Sequence, residues 1–256
     1  YAAMPAVLKD AIERSYQKVG WDLRNSESEK GVFPTFFDLL DILPGVIEES
    51  HYSKDTQSDY VGALCTRVKS LTNGIYGSVF CAEDALSDAE LFDCNVVVDL
   101  SRVGSMETKS LLMGILVMKL QEYRMCGSEM NSRLRHVTVL EEAHNLLRKT
   151  SAEQPQEGAN LQGKSVEMLA NAIAEMRTYG EGFIIADQAP GLLDMSVIRN
   201  TNTKIILRLP DEEDRKLVGK SAALKEAQID ELSKLPLGMA AVYQNEWPEA
   251  VLCKIE

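Results

Sequence analysis

Histidine is scarce: His51, His136 and His144 are the three in 256 residues. So few exclude a histidine-rich metal centre. Cysteine is little used; Cys65, Cys81, Cys94, Cys126 and Cys253 form no C-x-x-C pair. An odd, dispersed set reads as reduced thiols of a cytoplasmic protein, not as a disulfide frame or a zinc site. Long apolar runs are lacking too. The longest stretch, near Leu111 to Leu120, is broken by Gly114 and Lys119 and is too short to span a bilayer. No basic segment leads into an apolar one at the start, so no signal peptide is expected. The chain begins with Tyr1 instead of Met, and its first residues already read as helix, as expected of a fragment of a longer protein. Positive charge is outnumbered, 27 Lys and Arg against 39 Asp and Glu, for a net charge of −12. A face that coats nucleic acid broadly needs the opposite balance. Any DNA contact must therefore be local, as in a pore, or be made elsewhere; otherwise the acidity serves solubility.

What is present is an ordinary soluble composition, 45% hydrophobic and 26% charged, in a chain long enough to bury one α/β core. Residues 1–74 read as mainly helical. Val7, Leu8, Ile12 and Tyr16 recur at helical spacing after Pro5, the polar stretch Asn25 to Gly31 reads as a loop, and Phe33 to Leu43 is expected to stop at Pro44-Gly45. Val61, Leu64, Val68 and Leu71 mark another helix, closed by Asn73-Gly74. Residues 75–256 alternate. Strands are expected at Ile75–Phe80, Val96–Leu100, Val137–Leu140, Phe183–Ala186, Ile205–Leu209 and Met239–Tyr243. Several are continuously apolar, as strands buried on both faces are. Ser105 is placed to cap a helix containing Leu111, Leu112, Ile115 and Leu116, and Val166, Leu169, Ile173 and Met176 share a seam on another. Ser151 to Gly163 reads as a mobile loop. The alternation predicts a mostly parallel α/β sheet with flanking helices, preceded by a helical segment.

Ligands of such sheets collect at the carboxyl ends of the strands. Three runs end in groups suited to phosphate chemistry: Asp99, then Glu141-Glu142-Ala143-His144, then Asp187-Gln188. A carboxylate just past a buried strand can hold Mg²⁺ through its water shell, and the next can activate the water that attacks a γ-phosphate. The competing role is a pair of acids that opens a helix and favours its dipole. His144 suits packing or coupling to the nucleotide. Gln188 suits contact with the γ-phosphate or attacking water, or alternatively satisfies loop backbone before Pro190-Gly191. Arg177, near the end of a helix, is either a helix-dipole cation or an arginine presented to a neighbouring subunit.

Gly158 to Ser165 spells G-x-x-x-x-G-K-S, the lettering of a phosphate-binding loop. A working loop needs a buried strand before its first glycine, so that the helix start faces the phosphates. The residues here, Lys149 to Glu157, cannot form a core strand, and the match follows the acidic strand instead of preceding it. The motif is expected to be a decoy.

Taken in order, Val137–His144, Ala174–Gly182, Ile184–Pro190 and Asn200–Leu209 resemble the HerA/FtsK group of ring-forming P-loop ATPases, HerA-like bacterial proteins in particular. A looser similarity reaches back to Val96–Ser101, so that it covers roughly residues 60 to 245. The resemblance implies a RecA-like core, ATP and Mg²⁺ as cofactors, and translocation or unwinding of DNA by a ring, usually a hexamer, with a nuclease or other protein as a further partner. It places Glu141 at the metal-side Walker B position, holding Mg²⁺ through water, and Glu142 at the catalytic glutamate. Gln188 becomes the polar sensor and Arg177 a finger acting in trans. Two departures stand out. Glu141 occupies a position where many such motifs have Asp, and the family's phosphate loop would lie upstream. The chain is thus expected to be the C-terminal part of a motor domain, inactive alone. Two alternatives remain: a conjugation or secretion ATPase, and a degenerate ATPase domain serving as an oligomerisation scaffold. The presence of both Glu142 and Gln188 argues against decay.

Overall fold

The computed structural model describes residues 4–82, 85–127, 129–149 and 156–255, with backbone alone at 156–164. Packing divides the chain into two units, Tyr1–Leu86 and Ser87–Glu256.

The first unit is helical. Helix α1 (Met4–Lys18) buries Val7, Ala11 and Ser15, four residues apart, and a two-residue antiparallel pair, β1 (Trp21–Asp22) and β2 (Glu27–Ser28), follows. Helix α2 (Phe36–Glu49) starts at a capping box in which the Asp38 carboxylate accepts from the Thr35 N–H at 2.8 Å. It does not stop at Pro44 as the sequence suggests. Pro44 lacks an N–H and its ring opposes the carbonyl one turn back, at a cost of ~3 kcal/mol. Leu43, Val46 and Ile47 are fully buried around it. Each such side chain contributes about 1.5–3 kcal/mol on burial, enough to outweigh the break. Helices α3 (Lys54–Tyr60) and α4 (Thr66–Thr72) join through a π-helical turn, Val61–Cys65, and bury Leu64 and Val68 against α1 and α2.

The run Ile75–Phe80, expected as a strand, lies in helix α5 (Gly74–Phe80). A strand needs a partner for its backbone groups, whereas a helix satisfies them locally. Ile75 and Val79 are exposed, and Phe80 meets Phe36 edge-on at 5.5 Å.

In the second unit, α6 (Asp88–Phe92) is followed by Val96–Leu100, which has no regular secondary structure and joins no sheet among the described residues. Val97 is 93% exposed there, so the strand expected from this run is not formed. Asp99 caps the turn after it, accepting from the Ser101 N–H at 2.8 Å, and that bond holds its carboxyl below the usual range. Helix α7 (Met106–Gly127) begins as expected at Ser105, whose Oγ accepts from the Thr108 N–H. Strand β3 (His136–Glu141) pairs in parallel with β4 (Glu181–Ala186), and α8 (Gln156–Met176) connects them. Leu169, Ile173 and Met176 of α8 pack on α7 and on β3 through Met113, Val117, Leu120 and Leu140.

Beyond β4, helix α9 (Met195–Asn200) leads to β5 (Thr203–Ile206), α10 (Glu212–Ser221) and α11 (Glu226–Glu231). Strands β6 (Met239–Gln244) and β7 (Val251–Lys254) complete an antiparallel sheet ordered β5-β6-β7. Strand β5 ends three residues earlier than the sequence suggests, because the Leu209 N–H bonds the Leu232 carbonyl instead. The class is α/β as predicted. The expectation of strands buried on both faces is not met in β3 and β4: alternate residues Leu140, Phe183 and Ile185 face the core, while Val137, Val139 and Ile184 are exposed.

Candidate functional site

The register of β3 against β4 sets the site. Glu141 lies opposite Ala186, so the turns that follow the two strands leave the same sheet edge side by side. At that edge Glu142 adopts the left-handed conformation, φ 49° and ψ 47°. A residue with a side chain is strained there by about 1–3 kcal/mol. The turn is held by the Glu142 carbonyl, which accepts from both the backbone N–H and the side-chain amide of Asn145 at 2.9 Å.

Gln188 meets Glu142 directly: its Nε2 donates to Glu142 Oε1 at 3.0 Å. Behind this contact lies Asp187, 3% exposed. Its Oδ2 accepts from the His144 backbone N–H at 2.8 Å and lies 2.9 Å from His144 Nδ1, and its Oδ1 accepts from the Ala189 N–H at 2.9 Å. His144 Nδ1 is also 3.6 Å from Glu142 Oε2. Glu142, His144, Asp187 and Gln188 therefore close a ring of contacts across two strand ends. Glu141 is exposed beside it. Among the described residues no three His, Cys, Asp or Glu side chains gather as a metal cage. A lone exposed carboxylate suits a magnesium ion that keeps most of its water and leans on phosphate oxygens.

Arg177 is not part of this group. It lies in a 3-10 turn, Arg177–Tyr179, that leads through Gly180 into the amino end of β4. The six-residue strand puts it about 20 Å from the Glu142 edge at ~3.3 Å per residue. Its side chain is exposed, with no hydrogen bond or ion pair to the described residues. Gly180 turns with φ +83°, and a Cβ there would press on the Arg133 carbonyl at 2.5 Å. The glycine is thus required by both conformation and space.

The decoy G-x-x-x-x-G-K-S has its backbone inside α8, so the loop expected at 151–163 is helical from Gln156, while 150–155 lie outside the described residues. A continuous helix spends its N–H groups on its own carbonyls and cannot wrap them around a phosphate.

No protein-family model matches the chain. It is 33% identical over 122 residues to the DNA double-strand break repair helicase HerA of Sulfolobus acidocaldarius; these are 47% of the chain and 22% of that helicase. In structure, VirB4 of Thermoanaerobacter pseudethanolicus superposes over 99% of the chain with a TM-score of 0.69 and 20% identity. In sequence the chain is similar to HerA helicases over about half of its length. The plasmid coupling protein TrwB, solved with the GTP analogue GDPNP, likewise covers 99% of it, at a TM-score of 0.59 and 13% identity. The fold shared with these neighbours is RecA-like α/β. The chain spans about a fifth of the helicase by sequence match and 64% of the VirB4 chain by structure.

Sequence reasoning missed the groups that fix the other edge of this sheet. Glu181, its side chain fully buried at the start of β4, accepts from Arg124 Nε at 2.9 Å and Thr138 Oγ1 at 2.7 Å, and lies 2.8 Å from His136 Nδ1. Arg124, 5% exposed, also pairs with Asp93 at 2.6 Å and donates to the Phe92 carbonyl. The Tyr123 hydroxyl, and then Arg124, hold the Asp93 carboxyl below its usual range. The available signal was a charged residue placed between two glycines at the head of an apolar strand.

Proposed function

We propose that the chain carries the hydrolytic half of an ATP-driven ring motor that translocates or unwinds DNA. The observation that carries this reading is the 3.0 Å contact of Gln188 with Glu142 at the carboxyl ends of adjacent parallel strands. Glu142 is the general base for the attacking water, and Gln188 senses the γ-phosphate. Glu141 holds Mg²⁺ through water. Bound magnesium would neutralise charge on the transferred phosphoryl group. Arg177 completes the site of a neighbouring subunit. The phosphate loop is supplied by other residues than 158–165. The match to a DNA double-strand break repair helicase supports DNA as the substrate; a hexameric ring, a cytoplasmic location and a nuclease partner belong to the same proposal. No described helix is long and apolar enough to cross a membrane.

A second reading has its own support. VirB4 and TrwB each match along 99% of the chain, which favours a motor for conjugation or secretion. The deciding experiment is ATP turnover by the complete protein, with Mg²⁺, with and without duplex DNA. Turnover stimulated by DNA is expected. Turnover indifferent to DNA favours the second reading, and no turnover at all leaves an oligomerisation scaffold.

A further inference from the structure

Asp187 is buried at the point where the two strand-end turns meet, and it spends its acceptors on both. Oδ2 faces two nitrogens of one residue, the backbone N and ring Nδ1 of His144, at 2.8 and 2.9 Å. Oδ1 takes the Ala189 N–H of the other turn at 2.9 Å. Through His144 the carboxylate holds the turn on which Glu142 sits in its left-handed conformation. Through Ala189 it holds the turn that carries Gln188. The two functional side chains are both exposed and would otherwise be free to sample several rotamers.

We propose that His144 and Asp187 are a positioning pair. Asp187 clasps the two turns together, and by meeting both the backbone N–H and the ring Nδ1 of His144 it fixes the turn of Glu142 in register with that of Gln188. This rests on the reading of Glu142 as the base. The Asp187 side chain is buried and bonds inward to the two turns, so the pair acts through Glu142 and governs turnover more than affinity. The bond to Asp187 also selects the tautomer: a neutral His144 ring carries its proton on Nδ1, leaving Nε2 bare.

Asparagine separates this role from others, because its Nδ2 lies as many bonds from Cα as histidine Nδ1 and can donate to Asp187 in the same way. In the complete protein, His144→Ala is expected to lower kcat by about 10–100-fold, the usual cost of losing a group that orients a reacting one. KM for ATP should change little, and His144→Asn should recover most of the rate. Asp187→Asn should lower kcat as His144→Ala does, since its amide cannot accept at both oxygens. Nitrogen-15 spectra of the histidine-labelled complete protein should show His144 as the Nδ1–H tautomer and lose that signature in Asp187→Asn. Normal turnover by His144→Ala, or His144→Asn as slow as His144→Ala, would overturn the pair, the latter assigning the work to Nε2. An Nε2–H tautomer would overturn it independently of activity. Glu142→Gln is the control: slow Glu142→Gln beside normal His144→Ala removes the pair alone. Normal turnover by Glu142→Gln removes the base and the pair together.

Discussion

Gln188 and Glu142 are joined side chain to side chain, Nε2 to Oε1 at 3.0 Å, although they are 46 residues apart and each is exposed. On the proposed reading the bond occupies the amide assigned to the γ-phosphate and the carboxylate assigned to the attacking water, and a nucleotide at this edge would have to compete with it.

Glu142→Gln should therefore slow hydrolysis by the complete protein while leaving ATP affinity nearly intact. The amide keeps the shape and can still meet Gln188, but it cannot take a proton. Removing a general base costs ~10²–10⁴-fold in rate. Single-turnover hydrolysis beside equilibrium binding of ATP measures both halves, and near-normal turnover would return Glu142 to the role of a turn residue.

Arg177 should act across a subunit boundary, because it stands at the far edge of β4 from Glu142 and its exposed side chain makes no hydrogen bond or ion pair with the described residues. An arginine supplied in trans contributes ~10³–10⁵ in rate. Arg177→Ala and Glu142→Gln subunits, each nearly inactive alone, should regain activity when mixed, since some sites then pair an intact base with an intact neighbouring arginine. Co-assembled mixed rings without activity, or normal turnover by Arg177→Ala, would leave only a helix-dipole cation, a matter of ~0.3–1 kcal/mol.

Lys164→Ala should not change nucleotide binding. The backbone of 158–165 is helical, and helix geometry offers no cradle for a phosphate. Calorimetry with ATP and Mg²⁺ compares variant and parent directly. Binding lost in Lys164→Ala would make the apparent decoy a working loop.

Arg124→Met should destabilise the second unit severely. It leaves the buried Glu181 carboxylate without its cation, a loss of ~3–5 kcal/mol for a broken buried pair. Calorimetric melting should show Tm lowered by ~2–4 °C per kcal/mol. Replacing Arg124 and Glu181 together by apolar residues should cost less than Arg124→Met alone, and equal or greater loss in the double variant would contradict this account.

Asp93 adds a pH dependence to the same network. Its carboxyl is held low by Tyr123 first and Arg124 second. Its contribution is complete above the ordinary carboxylate value of ~3.9 and is lost as pH falls through the lowered one. The stability difference between parent and Asp93→Asn should be constant above about pH 5 and narrow in stronger acid. Urea melts across this range provide the check, and a difference that persists unchanged in acid would rule out the ionised Asp93 as its source.

The sequence alone was enough for β3, β4, the seam of α8 and the cap at Ser105, because periodicity and capping are local rules that each segment obeys by itself. It was enough, too, for Glu141, Glu142 and Gln188 as strand-end groups, since where an apolar run stops is written in the run. Pro44 inside a helix, Ile75–Phe80 as a helix and Val96–Leu100 without a strand partner among the described residues were decided by tertiary structure. In each, burial or the availability of a hydrogen-bonding neighbour overrode or left unused the local preference. The buried Glu181 and the Asp187 clasp belong to the same class. Their partners lie 43 to 57 residues away, and a carboxylate's spelling is the same whether it faces water or three donors. Only the parallel register, which brings His136 beside Glu181 at one edge and Glu141 beside Ala186 at the other, gives those residues their neighbours and hence their chemistry.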